Sequence, residues 1–230
     1  SMQIGSYDNM IDNTVKNSTG YIQVQAPGYW DDKTINNTFE SSEELKEKIL
    51  KTDNVSGVIP RLESFALASS GLKTKGIGII GTDPAKENQV TGLADKVVDG
   101  DYFNHKKNQV LVAEKLASYL EVGVGDSIVL LSQGYHGVTA ADEFYILGIV
   151  KFPSPEMNSQ LIYMALEDAQ YFYAAPSRLT SLSIMLEEPD HLQTTVEKIR
   201  SALGDIYDVM TWEQMLTALV QAIESDNVSG

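Results

Sequence analysis

Residues 109–132 read QVLVAEKLASYLEVGVGDSIVLLS. Gln109 to Ala113 is an apolar run of strand length. From Glu114 to Val122 the pattern changes, with Leu116 and Leu120 one helical turn apart on a single face. Gly123-Val124-Gly125-Asp126 then turns the chain, and Ser127 to Ser132 forms the next strand. Further on come a glycine-containing loop, Gly134 to Asp142, and strands Glu143 to Val150 and Leu161 to Leu166. A short helix, Asp168 to Tyr173, follows them. Dense short strands with turn signals predict a small β-rich module.

Outside this centre the chain alternates strand and helix. Upstream, Tyr21 to Gln25 alternates as a strand, and Pro27 to Asn37 reads as a long loop. Ser41 with Glu44 offers a capping box for a helix that turns Leu45 and Ile49 inward. Val55 to Leu67 is extended and predicted to break at Pro60; Ile77 to Ile80 is another strand. Downstream, Leu179 to Leu186 alternates. Pro189-Asp190 then opens a helix with the stripe Leu192, Val196, Ile199 and Leu203. Ile206 to Met210 is a short strand. Thr211-Trp212-Glu213-Gln214 looks like a second capping box, leading Met215, Leu216, Leu219, Val220 and Ile223 on one wide face.

Ile4, Tyr7, Ile11 and Val15 also recur at helical spacing. Both terminal helices are read as amphipathic helices packed on the core rather than stubs of membrane helices. The opening Ser1-Met2 reads as an added start to an excised segment. The expected fold is α+β: a split βαβ-type subdomain from residues 1–85 and 173–230, with a β-rich subdomain inserted at 86–172.

Of the 230 residues, 43% are hydrophobic and 21% charged, which predicts a folded chain with a proper core. The net charge of -15, with lysines scattered rather than striped, excludes nucleic acid as a partner. There is no cysteine, hence no disulfide, thiolate metal site or thiol nucleophile. No cleavable signal peptide and no run of about 18 apolar residues is present, so no segment is expected to span a membrane.

Chemistry-bearing motifs are sparse. Gly76-Ile77-Gly78-Ile79-Ile80-Gly81 matches GxGxxG, but its glycines lie inside the apolar run, and Thr82-Asp83-Pro84 reads as a turn. A dinucleotide site needs them between strand and helix. His105, His136 and His191 share no metal-ligand spacing. Carboxylate pairs such as Glu43-Glu44 and Glu187-Glu188 are sequence neighbours that point apart. Asp99, Asp101 and Asn104 lack the glycine and final glutamate of an EF-hand loop. No catalytic, cofactor or metal residue is assigned, and the chain is not read as an enzyme. The residues singled out for contact with a partner or cargo are Tyr29 and Trp30, in a polar loop, and Tyr135 and His136, within the loop Gly134 to Ala141.

Several stretches together resemble the MacB-like periplasmic core domains of MacB, LolC–LolE and FtsX permeases. These are Val98-Asp99-Gly100-Asp101-Tyr102-Phe103, Gln109 to Ala113, Lys115-Leu116-Ala117, Leu120 to Asp126 and Phe144 to Ile149. Pro60-Arg61-Leu62 and Gly76 to Pro84 are similar to the LolE-like branch, and Trp212 resembles the tryptophan preceding that family's second membrane helix. The resemblance implies a Porter-like α+β subdomain with a Sabre-like insertion, outside the bacterial inner membrane. It implies a permease that works with a cytoplasmic ABC ATPase and a second permease copy or paralogue. ATP-driven motion would reach lipoprotein, peptide or small-molecule cargo, or a periplasmic adaptor. The alternative it leaves open is an FtsX-like regulator that activates a cell-wall hydrolase.

Overall fold

In the computed structural model, residues 19–229 are described. In chain order the strands are β1 Ile22–Gln25, β2 Phe39–Glu40, β3 Val55–Ser70, β4 Lys73–Thr82, β5 Val97–Gly100 and β6 Gln109–Ala113. They continue with β7 Ser127–Gln133, β8 Thr139–Val150, β9 Leu161–Ala165, β10 Arg178–Leu179, β11 Ser181–Leu186 and β12 Asp208–Thr211. The helices are α1 Glu43–Leu50, α2 Pro84–Thr91, α3 Glu114–Leu120, α4 Pro155–Gln160, α5 Leu166–Phe172, α6 Leu192–Leu203 and α7 Trp212–Ser229. The helix expected around Ile4 to Val15 lies outside the described residues.

Contacts divide the chain into two units. The first holds the residues up to Asp32, Ser42–Val58 and everything from Ser181 on. Its central strand β1 is antiparallel to both β11 (Ile22 opposite Ile184) and β12 (Ile22 opposite Thr211). With α6 connecting β11 to β12, this is the split βαβ arrangement expected from both chain ends. Every residue of β1 and of β11 is buried. The α6 stripe Leu192, Val196, Ile199 and Leu203 is buried as its spacing predicts.

Two caps fix the helix starts in this unit. Ser42, not Ser41, is the N-cap of α1: its hydroxyl accepts from the Leu45 N–H at 3.1 Å. The Ser41 N–H is instead donated to the Ser177 carbonyl at 2.7 Å. At α7 the capping box is reciprocal, with the Gln214 N–H donated to Thr211 Oγ1 at 3.3 Å and the Thr211 N–H to Gln214 Oε1 at 3.0 Å. Thr211→Ala is expected to cost about 1 kcal/mol, read as a lower urea midpoint by tryptophan fluorescence; an unchanged midpoint would mean that packing alone holds this helix start. On α7, Met215 is buried and Leu216 is exposed.

The second unit is Lys33–Ser41 and Ile59–Thr180. Its strands run β3-β4-β9-β6-β8, and β7 pairs with both β3 and β8, so the ladder closes into a ring of six strands. β5 adds to β8, while β2 and β10 pair apart. Its core includes Leu62, Ile79, Leu111, Leu116, Ile128, Phe144, Ile162 and Tyr173.

Three expectations change here. The boundaries at 85/86 and 172/173 fall inside the second unit, because β4 is parallel to β9 from Gly78–Leu161 to Thr82–Ala165. β3 is not broken at Pro60; its ladder with β4 starts at Arg61, so β4 demands no N–H from the proline. The loop expected from Gly134 to Asp142 is a 3₁₀ turn at Tyr135–Gly137, after which β8 begins at Thr139.

Candidate contact surfaces

The loop between β7 and β8 is held from both sides. The Gly134 N–H is donated to the Val138 carbonyl at 2.6 Å, and the Tyr135 N–H to the Tyr173 carbonyl at 2.7 Å. The Tyr135 ring lies 4.6 Å from the Arg178 guanidinium, a cation–π contact, and 3.9 Å from the His136 ring. Arg178 in turn donates to Thr38 Oγ1 and to the Thr38 carbonyl, each at 2.6 Å. His136 is exposed in a left-handed conformation (φ 59°), and its N–H is donated to Asn36 Oδ1 at 2.9 Å. The pair therefore stands as a fixed knob, with Tyr135 half-buried and His136 outermost.

The structure brings Tyr135 and His136 together. Tyr29 and Trp30 belong to the first unit, where Tyr29 is only 5% exposed and so part of the core, and Trp30 is half-buried. Among the described residues no group of three or more His, Cys, Asp or Glu side chains is placed to hold a metal ion. The glycines at 76, 78 and 81 lie inside β4. The turn expected at Asp83-Pro84 is the start of α2, and the Asp83 carboxylate accepts from the Ala85 and Lys86 N–H groups. An anion would have to displace that carboxylate from the helix start.

A surface not anticipated from the sequence lies on β3 and β7. Phe65 is 68% exposed, Leu67 and Val129 47% each and Leu131 45%, with Leu67 directly opposite Leu131. On the other flank Phe65 and Leu67 face Gly78 and Gly76, which add no side chain, so the apolar face is flat. Phe65, Leu67, Val129 and Leu131 thus form an exposed apolar patch. Residues on both faces of β3 here are apolar (Phe65 and Leu67 against Ala66 and Ala68), so alternation cannot tell which face is buried. The glycines at alternate positions of the neighbouring strand were the available signal.

Farther along β3, Arg61 and Glu87 form a bidentate pair, Nε to Oε1 at 3.1 Å and Nη2 to Oε2 at 2.9 Å, with side chains 2% and 1% exposed. Burial works against the charged guanidinium, but the Glu87 carboxylate, with Glu63 adding to it, holds Arg61 above its usual range. Burial, with Glu87 nearby, likewise pushes the Tyr163 and Tyr102 phenols up.

The structure is an α+β fold with a ring of strands and an exposed apolar sheet face. The MacB-like periplasmic core domain family matches residues 4–202, and the chain belongs to that family. It is thus a periplasmic domain of the ABC-transporter permease type. The lipoprotein-releasing system transmembrane protein LolC of Neisseria meningitidis is 22% identical over 184 residues, 75% of this chain and 44% of that protein. The chain thus spans less than half the length of the curated relatives it matches. The extracellular domain of the noncanonic ABC-type transporter YknZ from Gram-positive bacteria has TM-score 0.59 at 17% identity, covering 83% of this chain and 99% of that one. The periplasmic region of MacB from Actinobacillus actinomycetemcomitans has TM-score 0.56 at 14% identity, covering 91% and 95%. Both likenesses bear on the fold alone.

Proposed function

We propose that this domain relays ATP-driven movement of its parent permease to cargo outside the inner membrane, with lipoproteins as the first cargo class to test. The first unit corresponds to the Porter-like subdomain and the second to the Sabre-like one. The observation that carries the reading is the flat apolar face of Phe65, Leu67, Val129 and Leu131, presented on a fold of the permease family. Such a face suits the non-covalent handling of a partner. A cytoplasmic ABC ATPase and a second permease copy or paralogue are the partners the reading requires, and the name of the LolC relative supports the choice of cargo.

The test is to isolate the tagged full-length parent from native membranes and identify co-purifying proteins by mass spectrometry. An ABC ATPase together with lipoproteins is the expected result. Phe65→Glu with Leu131→Glu is expected to lose the lipoproteins and keep the ATPase. Recovery of an ATPase with a peptidoglycan hydrolase in place of lipoproteins would overturn the cargo reading in favour of an FtsX-like regulator. Absence of any ATPase, in preparations that keep other membrane complexes intact, would overturn both.

A further inference from the structure

The ring of strands in the second unit has an opening. β8 pairs with β7 from Thr139 to Tyr145, but on its other side β6 joins only from Tyr145 on, where it faces Gln109. Among the described residues, the edge from Thr139 to Glu143 therefore has no strand neighbour on that side.

The direction of its backbone groups follows from the ladder. Gly134 bonds Val138 at one end, and Ile146 exchanges bonds with Gly125 and Asp126 at the other. In an antiparallel pair such bonded positions alternate, so the even-numbered residues of β8 bond β7, and Thr139, Ala141 and Glu143 point outward. Two of the outward groups further along are satisfied. The Glu143 N–H is accepted by Asp142 Oδ1 at 2.8 Å, and the Tyr145 N–H by the Asn108 carbonyl at 2.8 Å. Thr139 and Ala141 have no partner on that side among the described residues. The comparable edge of β3 is covered: Thr180 bonds Arg61 and Glu63, and the Tyr173 and Ser132 hydroxyls donate to the Phe65 carbonyl.

In front of the open edge lies a cleft of about 610 Å³. Tyr171, 81% exposed, Phe172 and Pro176 wall it, and Ala140 and Ala141 line the strand side. Its charged lining residues are Asp142 and Glu167, with no lysine or arginine among them. Asp168 adjoins them: burial first, then the neighbouring Glu167 and Asp142 charges, raise its carboxyl, against the Asn108 N–H and Lys107.

We propose that the β8 edge at Thr139–Asp142 is a docking site that takes an extended, basic peptide segment of a partner protein as an added strand. Main-chain bonds to Thr139 and Ala141 would supply the register, and alternate side chains would meet Tyr171 on one face. On the other face the added strand lengthens the apolar surface, because Ala141 lies opposite Leu131 and Leu131 opposite Leu67. Charge complementarity selects the occupant: lysine or arginine meets Asp142 and Glu167. A second copy of this chain, at net charge -15, would set the same carboxylates against each other. The proposal does not depend on whether the parent protein moves cargo.

The probe is a labelled peptide of alternating lysine and valine, titrated into the 230-residue chain while backbone amides are followed by NMR. Shifts centred on Thr139 to Asp142, slowed exchange of the Ala141 amide and no binding of an alternating glutamate–valine peptide are expected. Ala141→Pro, which removes one edge N–H, is expected to weaken binding by roughly fivefold, the worth of one main-chain hydrogen bond. Glu167→Lys and Tyr171→Ala alter exposed positions and keep the fold, and each is expected to weaken binding as well. Equal binding of both peptides, shifts centred elsewhere, or indifference to Glu167→Lys and Tyr171→Ala would overturn the proposal. So would a dimer by sedimentation that Ala141→Pro dissolves, since the occupant would then be a second copy.

Discussion

Arg61→Ala is expected to lower the unfolding free energy of the domain by about 3–5 kcal/mol. The substitution strands Glu87, whose side chain is 1% exposed and whose carboxylate accepts two bonds from the guanidinium. A buried carboxylate without its partner keeps the full desolvation penalty, which is why breaking a pair costs more than replacing it. Arg61→Met combined with Glu87→Leu is therefore expected to recover most of the loss, because two apolar side chains of similar volume carry no charge to desolvate. Urea unfolding followed by far-UV circular dichroism separates the cases, since both tryptophans, Trp30 and Trp212, lie in the first unit and Arg61 in the second. A double variant as unstable as the single one would mean that the charges themselves, through Glu63 and Tyr163, hold β3 against α2.

Gly100→Ala is the second large effect, on the order of 3–5 kcal/mol. Gly100 ends β5 at φ 78°, a left-handed conformation that an alanine occupies only with strain. A Cβ there would also collide with the Leu147 carbonyl oxygen and lie 2.8 Å from Val124 Cγ2 and 3.1 Å from Gly148 Cα. Backbone atoms cannot rotate away, so the β5–β8 ladder must open. Gly125 is the control: it has φ 95° but nothing within 4 Å of the added carbon, so Gly125→Ala meets conformational strain alone, about 1 kcal/mol. The corresponding fall in melting temperature is roughly 10 °C for Gly100→Ala and about 3 °C for Gly125→Ala. Equal shifts would show that packing around Gly100 yields more easily than its neighbours suggest.

The sequence was most legible where periodicity and caps act locally. The α6 stripe, the Thr211–Gln214 box and the strand–helix–turn–strand run through Asp126 all stand where their patterns put them. Long-range pairing was not legible. Nothing in Ile77 to Ile80 announces that β4 lies beside β9 rather than with the chain ends, so the unit boundaries moved. Gly134, Gly137 and Asp142 supplied strong turn signals and hid the first residues of β8, the ones that form the open edge. Of the four contact residues singled out, Tyr135 and His136 form one knob, whereas Tyr29 is consumed by the first unit's core, a fate its polar sequence neighbours do not betray. Phe65 and Leu67 were missed because a strand apolar on both faces looks like a buried one.

The pairing of Ile22 with both Ile184 and Thr211 also dictates an order of events at the ribosome. β1 is synthesised before Ile59–Thr180, yet both of its neighbours are translated only after the whole of it. The strand-rich unit can thus close before β11 and β12 emerge, and the first unit must wait for those two strands. Until then β1, with Ile22 and Val24 uncovered, is an unpaired strand in a nascent chain, the kind of segment that aggregates unless it is shielded.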